Sequence, residues 1–128
     1  MQKIETDKAP KAIGPYSQAV KAGGFLFISG QIGIEFQTGN LVPGGVKEQT
    51  IQVLANVESI LAAAGLSLGN VVRVDVFLSS LKDYQEMNEV YGSKFTSEIK
   101  PTRLTVAVSA LPKDALVEIS CVAVIKPE

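Results

Sequence analysis

Two charged side chains carry the chemistry this sequence can offer. Arg103 stands in "PTRLTVAV", Pro101 to Val108, and Glu118 in "LVEISCVAVIK", Leu116 to Lys126. A guanidinium presents a planar fork that grips a carboxylate through two parallel hydrogen bonds, and a glutamate can take up and return protons. Both stretches alternate in the period-2 manner of strands. Alternation sets Arg103, Thr105 and Ala107 on one face and Leu104, Val106 and Val108 on the other. Leu104 is then expected to point at the helices, its bulk absorbed in the core, while Arg103 and Glu118 share the opposite face of neighbouring strands. A hairpin between them would set Glu118 opposite Ala107, roughly 13 Å from Arg103 at ~3.3 Å per residue. That gap suits a small molecule better than a direct ion pair, with a salt bridge across an interface as the alternative.

Other polar residues have two readings each. Tyr16 follows Gly14-Pro15, where a turn can hold its phenol over a cleft or lay its ring on the core as a lid. Ser29 and Gly30 end an apolar strand, and the glycine either lets a ligand approach the backbone or simply closes the strand. Asn88 lies four residues after Tyr84 on an apolar helical stripe, placed to clamp a loop or ligand or to satisfy buried backbone groups. Cys121 stands between apolar neighbours and reads as core. Lys47, Glu48, Lys82 and Glu86 read as solvated helix charge.

Composition removes whole classes of chemistry. The 128 residues contain no histidine and one cysteine, which excludes Ser-His and Cys-His catalysis, an intrachain disulfide, and thiolate or imidazole metal sites. A net charge of −1 offers no basic field for a phosphate backbone, so nucleic acid is disfavoured as a partner. No apolar run reaches the ~20 residues of a membrane span and the amino-terminal stretch has no signal-peptide core, so a soluble, cytoplasmic protein without a membrane partner is expected. With 46% apolar content the chain suffices for one domain, spanning residues 1–128.

The elements that must position Arg103 and Glu118 follow from periodicity. "FLFISG", Phe25 to Gly30, reads as a buried strand behind a Gly23-Gly24 hairpin turn, and "QTGN" marks another turn. Val46 to Ala64 carries apolar residues at helical spacing (Ile51, Leu54, Val57, Ile60, Leu61), with Gly65 as a C′ residue. Val71 to Ser79 alternates as a strand. A second helix is predicted from Asp83, as N-cap, through Phe95, with the stripe Tyr84, Met87, Tyr91 and Phe95. Strands Thr102–Val108 and Leu116–Lys126 follow, joined by "SALPKDA". The order predicts a mixed sheet with both helices on one side, a two-layer α+β domain. The uncovered face would carry Phe77, Ala107, Leu116, Val122 and Val124. That is more apolar surface than a monomer usually leaves wet, so a homo-oligomer packed through sheet faces is expected.

In "KAPKAIGPYSQAV", "FISGQIG", "TGNLVPGGVKEQT", "ILAAAGLSLGNVVRVDVFL", "MNEVYGSKF" and "PTRLTVAVSALPKDALVEISCVAV", the chain resembles the Rid family, the reactive-intermediate or imine deaminases, along its whole length. Older members were called translation inhibitors or L-PSP endoribonucleases. The resemblance implies a chorismate-mutase-like fold with a mixed six-stranded sheet, a homotrimer around a central β-barrel, and clefts between subunits. It implies hydrolysis of 2-imino and enamine acids (2-aminoacrylate, 2-iminobutyrate) to 2-keto acids and ammonia, a 2-iminobutanoate/2-iminopropanoate deaminase that needs no cofactor. By position Arg103 matches the substrate-carboxylate arginine, Glu118 the acid near the bound water, and Tyr16, Ser29, Gly30 and Asn88 the cleft lining. Two departures stand out: Thr105 where many relatives have Cys, and Leu104 where a smaller residue is usual. The rival readings are a non-catalytic trimer that binds small carboxylates or keto acids, a chaperone-like regulator, or an endoribonuclease.

Overall fold

Period-2 and period-3.6 apolar patterns together enclose one core between a sheet and two helices. The computed structural model describes residues 1–125. Its strands are β1 (Gln2–Ile4), β2 (Ala19–Ala22), β3 (Phe25–Gln31), β4 (Val71–Leu78), β5 (Thr102–Ala107) and β6 (Val117–Val124), and its helices are α1 (Val46–Ala63) and α2 (Tyr84–Lys94). The six strands lie in the order β1-β2-β3-β6-β4-β5. All neighbours run antiparallel except β4 and β5, which are parallel because α2 forms the crossover between them. The α+β class, the mixed six-stranded sheet and the two helices on one face agree with the sequence reading. Lys126, where the last predicted strand was expected to end, lies outside the described residues.

Local chemistry explains the boundaries. Gly23 and Gly24 take φ of +57° and +84°, as a tight two-residue hairpin requires between β2 and β3. Gly65, at φ +75°, ends α1. At the other end of α1 the Glu48 carboxylate accepts the Gly45 N–H at 2.9 Å, so this residue is a cap rather than idle solvated charge. Its own backbone N–H, and after it that bond to Gly45, lower its pKa. Asp83 precedes α2 but makes no side-chain cap; Ser80 Oγ accepts the Lys82 N–H one turn earlier, at the start of a short 3₁₀ turn.

The core lies on the helix side of the sheet: Leu26, Ile28, Val74, Val76, Leu78, Val117, Ile119 and Ala123, against Val53, Leu54, Val57, Ile60, Leu61 and Met87. Cys121 is buried there, and desolvation pushes its thiol up to about 12, an inert core residue as expected. Ile51 faces outward from α1 instead of joining the stripe.

Register overturns the expected arrangement of faces. β4 lies between β5 and β6, so those two strands form no hairpin: Glu118 stands opposite Phe77 and Arg103 beside Val74. Val74 faces the helices, so Arg103 and Thr105 do too, and Ala107 follows them beside Leu78. Leu104 beside Asp75 and Val106 beside Phe77 lie on the open face, where Leu104 is 47% exposed rather than absorbed in the core. Arg103 and Glu118 therefore occupy opposite faces of the sheet. β5 and β6, though consecutive in sequence, do not pair here, because the parallel crossover inserts β4 between them.

The open face remains strongly apolar, with Phe25 (41% exposed), Phe27 (47%), Phe77, Leu104, Val122 and Val124. Leu116 precedes β6 and packs partly against the core instead.

Three buried amides stitch loops to this frame. Gln49 Oε1 accepts the Leu116 N–H at 2.8 Å, and Gln18 both accepts from Thr6 N–H (2.7 Å) and donates to the carbonyls of Thr6 and Pro10 (3.1 and 2.7 Å). Asn56 donates Nδ2–H to the carbonyls of Ile32 and Ile34 at 3.3 and 3.0 Å, holding the segment that leaves β3. Asn56→Ala removes these bonds from a fully buried position and should lower the unfolding free energy by about 2 kcal/mol. The shift of the urea unfolding midpoint at constant slope measures it.

Candidate functional site

Glu118 and Arg103 each sit in a cleft, and the clefts are different. The Glu118 cleft, about 700 Å³, is lined by Tyr16, Gln18, Ser29, Gly30, Gln31 and Lys113 among others. Its geometry starts at an irregularity in the β3–β6 ladder. Ile28 pairs with Cys121 and Gln31 with Ile119, so three steps along β3 match two along β6, a bulge at Ser29-Gly30. The bulge sets Gly30 directly under the Glu118 side chain. A Cβ at Gly30 would overlap the Glu118 Oε2 and lie 3.0 Å from its carboxyl carbon. Gly30 is thus required for close approach and does more than end the strand. Ser29 Oγ donates to the Ser17 carbonyl at 2.6 Å, which leaves its own lone pairs able to accept.

Glu118 is half-buried and has no ion-pair partner among the described residues. Desolvation raises its pKa above the ordinary carboxylate value. Lys113 and Asp114, on the loop before β6, hold φ of +57° and +56°, conformations that L-residues rarely adopt. Tyr16 is 55% exposed at the cleft wall, so its ring is no core lid within one chain.

The Arg103 cleft, about 540 Å³, is lined by Asn88, Tyr91, Phe95, Thr96, Lys100 and Pro101. Arg103 Nη1 donates to Asn88 Oδ1 at 2.6 Å and Nη2 to Tyr84 Oη at 2.7 Å. Its guanidinium carbon lies 4.7 Å from the Tyr91 ring centroid and 5.6 Å from that of Tyr84. Among the described residues no carboxylate pairs with it. Asn88 therefore holds the arginine and does not satisfy buried backbone. Thr105 shares the Arg103 face, but its hydroxyl oxygen is buried without a hydrogen-bond partner among the described residues and lines neither cleft.

One chain thus gathers Tyr16, Ser29, Gly30 and Glu118 in one cleft and Arg103 with Asn88 in the other. The sequence reading missed Gln18, which anchors the segment walling the first cleft; a glutamine between Ser17 and a buried strand was its only signal. It also placed Tyr84 and Tyr91 on a hydrophobic stripe, since an aromatic stripe at helical spacing looks the same whether it serves a core or an arginine.

Comparison with known proteins fixes the lineage. The family model for endoribonuclease L-PSP matches residues 6–125. A RutC family protein of Pyrococcus horikoshii is 56% identical over 120 residues, covering 94% of each chain. The 2-iminobutanoate/2-iminopropanoate deaminase of Mus musculus is 46% identical over 124 residues, 97% of this chain and 91% of that one. The chain belongs to the Rid family, also called the YjgF or L-PSP family. Among solved Rid structures, TdcF of E. coli with bound serine superposes with a TM-score of 0.91 at 44% identity, covering 97% of this chain and 98% of that one. Among the described residues no helix is long and apolar enough to cross a membrane.

The raised pKa of Glu118 has a consequence for stability. A carboxyl whose folded pKa exceeds its ordinary 4.5 binds its proton more tightly in the native state, so it costs stability as pH rises through that window. Glu118→Gln removes the titration. Its melting temperature relative to wild type should climb between pH 4 and neutral and then level off, as thermal melts at fixed ionic strength will show.

Proposed function

We propose that this protein hydrolyses 2-imino acids, the tautomers of enamines such as 2-aminoacrylate, to 2-keto acids and ammonia, at sites shared between copies of the chain. The observation that carries this reading is Arg103: a fork held in a cleft by neutral acceptors, paired with no carboxylate among the described residues. Five N–H donors less the two given to Asn88 and Tyr84 leave three for a substrate carboxylate.

The catalytic acid comes from another copy. Arg103 and Glu118 lie on opposite faces of one sheet, so a neighbouring protomer has to bring its Glu118 cleft against the Arg103 cleft to complete the site. The apolar open face is the surface that association covers, and a trimer closing three such faces around a central barrel is the arrangement we assign. The close resemblance to the mouse deaminase supports the activity, and the serine in TdcF supports a site for small amino-acid-like ligands.

The steps follow from the residues. Arg103 fixes the carboxylate, which orients the C=N carbon. Water adds to that carbon, giving up a proton to Glu118, whose raised pKa suits it to accept a proton and return it to the departing nitrogen. Collapse of the carbinolamine expels ammonia and leaves the keto acid. The Ser29 hydroxyl holds the water, and Tyr16 covers the mouth. No cofactor enters these steps. A role in RNA cleavage finds no support in a chain with net charge −1 and no histidine.

The serine-bound relative also favours a second reading, carboxylate binding without turnover, and the same variants separate the two. Arg103→Lys keeps charge but loses the fork, and should raise KM for 2-iminobutyrate at least about tenfold. Glu118→Gln should lower kcat about a hundredfold while 2-oxobutyrate binding persists. A binding-only protein would show no turnover to lose. Mixing Arg103→Ala and Glu118→Ala protein under subunit exchange should restore activity that neither has alone. A site complete within one chain would give none.

A further inference from the structure

We infer that Tyr84 and Tyr91 are positioning residues that, with Asn88, form a guanidinium cradle on α2, and that the Tyr84 hydroxyl is a further donor to the substrate carboxylate. The inference rests on the carboxylate role of Arg103 proposed above.

The three residues stand at i, i+4 and i+7, so they line one helical face one turn apart. That face meets β5 at the strand's helix side, where Arg103 emerges beside Val74. Their chemistry divides the arginine's surfaces. Asn88 and Tyr84 each accept one end N–H, at 2.6 and 2.7 Å. Tyr91 supplies its ring face at 4.7 Å, a cation–π contact that leaves the in-plane donors free. An arginine side chain left loose would lose rotamer entropy on binding; one already fixed at two nitrogens and one face loses far less.

The two tyrosines are not equivalent. Tyr91 is buried, 8% exposed, and its hydroxyl oxygen has no hydrogen-bond partner among the described residues. Its contribution is therefore the ring. Tyr84 is 38% exposed, and its oxygen accepts from Arg103 while its own proton has no acceptor among the described residues. Its contribution is the hydroxyl, which receives one hydrogen bond from the cation and can give another to the anion docked beside it. Accepting from a cation strengthens that donor.

The test measures steady-state hydrolysis of 2-iminobutyrate and calorimetric binding of 2-oxobutyrate. Tyr84→Phe should raise KM and weaken 2-oxobutyrate binding about tenfold, with kcat within about twofold of wild type. Tyr91→Leu should raise KM about threefold to tenfold with the same unchanged kcat, and Tyr91→Phe, which keeps the ring, should restore the wild-type value. A merely structural tyrosine would not move KM alone. If Tyr91→Leu fails to fold, Tyr84→Phe decides. Unchanged KM and unchanged 2-oxobutyrate affinity in Tyr84→Phe overturn the proposal, as does a loss in Tyr91→Phe equal to that in Tyr91→Leu. A wild-type protein that binds 2-oxobutyrate without turnover sinks the deaminase reading and leaves the binding arm to decide this one. A wild-type protein that does not bind it sinks both.

Discussion

A cation that pairs with no acid among the described residues is the constraint from which the rest follows. Arg103 sits on an edge strand, beside a valine on one flank and over two tyrosines and an asparagine on the helix above. Neutral acceptors satisfy it without neutralising it. Had the sheet paired β5 with β6 directly, Arg103 and Glu118 would share one face of a single chain. The β4–α2–β5 crossover inserts a strand between them and turns the two charges to opposite sides. Topology keeps the two charges apart.

The acid is prepared with equal care. A bulge costs β3 a regular pair with β6, and in exchange removes a side chain from the spot over which Glu118 lies. Partial burial, with no ion-pair partner among the described residues, then leaves the carboxyl more basic than usual. The neighbouring loop reaches the cleft through two consecutive left-handed residues, Lys113 and Asp114, a backbone state retained only where the surrounding frame fixes it.

Much of this was legible in the sequence and part was not, for identifiable reasons. Alternation in Val71–Leu78 and Val117–Val124 and the stripe of α1 gave the elements to within a residue or two, because each buries one continuous face. β1, only three residues long, carries too little pattern to be seen. Which strands pair is a long-range property, and its misreading reversed the faces of Leu104 and Arg103. The identities of Arg103, Glu118 and Gly30 as the notable residues needed only their chemistry and the family resemblance. The partners of Arg103 required the structure, because aromatic side chains on an amphipathic helix look alike from sequence whatever they cover.

The Gln18 amide reaches back across twelve residues to tie down Thr6 and Pro10, and the chain just beyond, Pro10 to Tyr16, walls the Glu118 cleft. The leading segment is accordingly masonry and no loose tail. Proteolytic trimming or a fused tag that tugged it off its glutamine peg would unroof the acid from afar, without touching a single reactive atom.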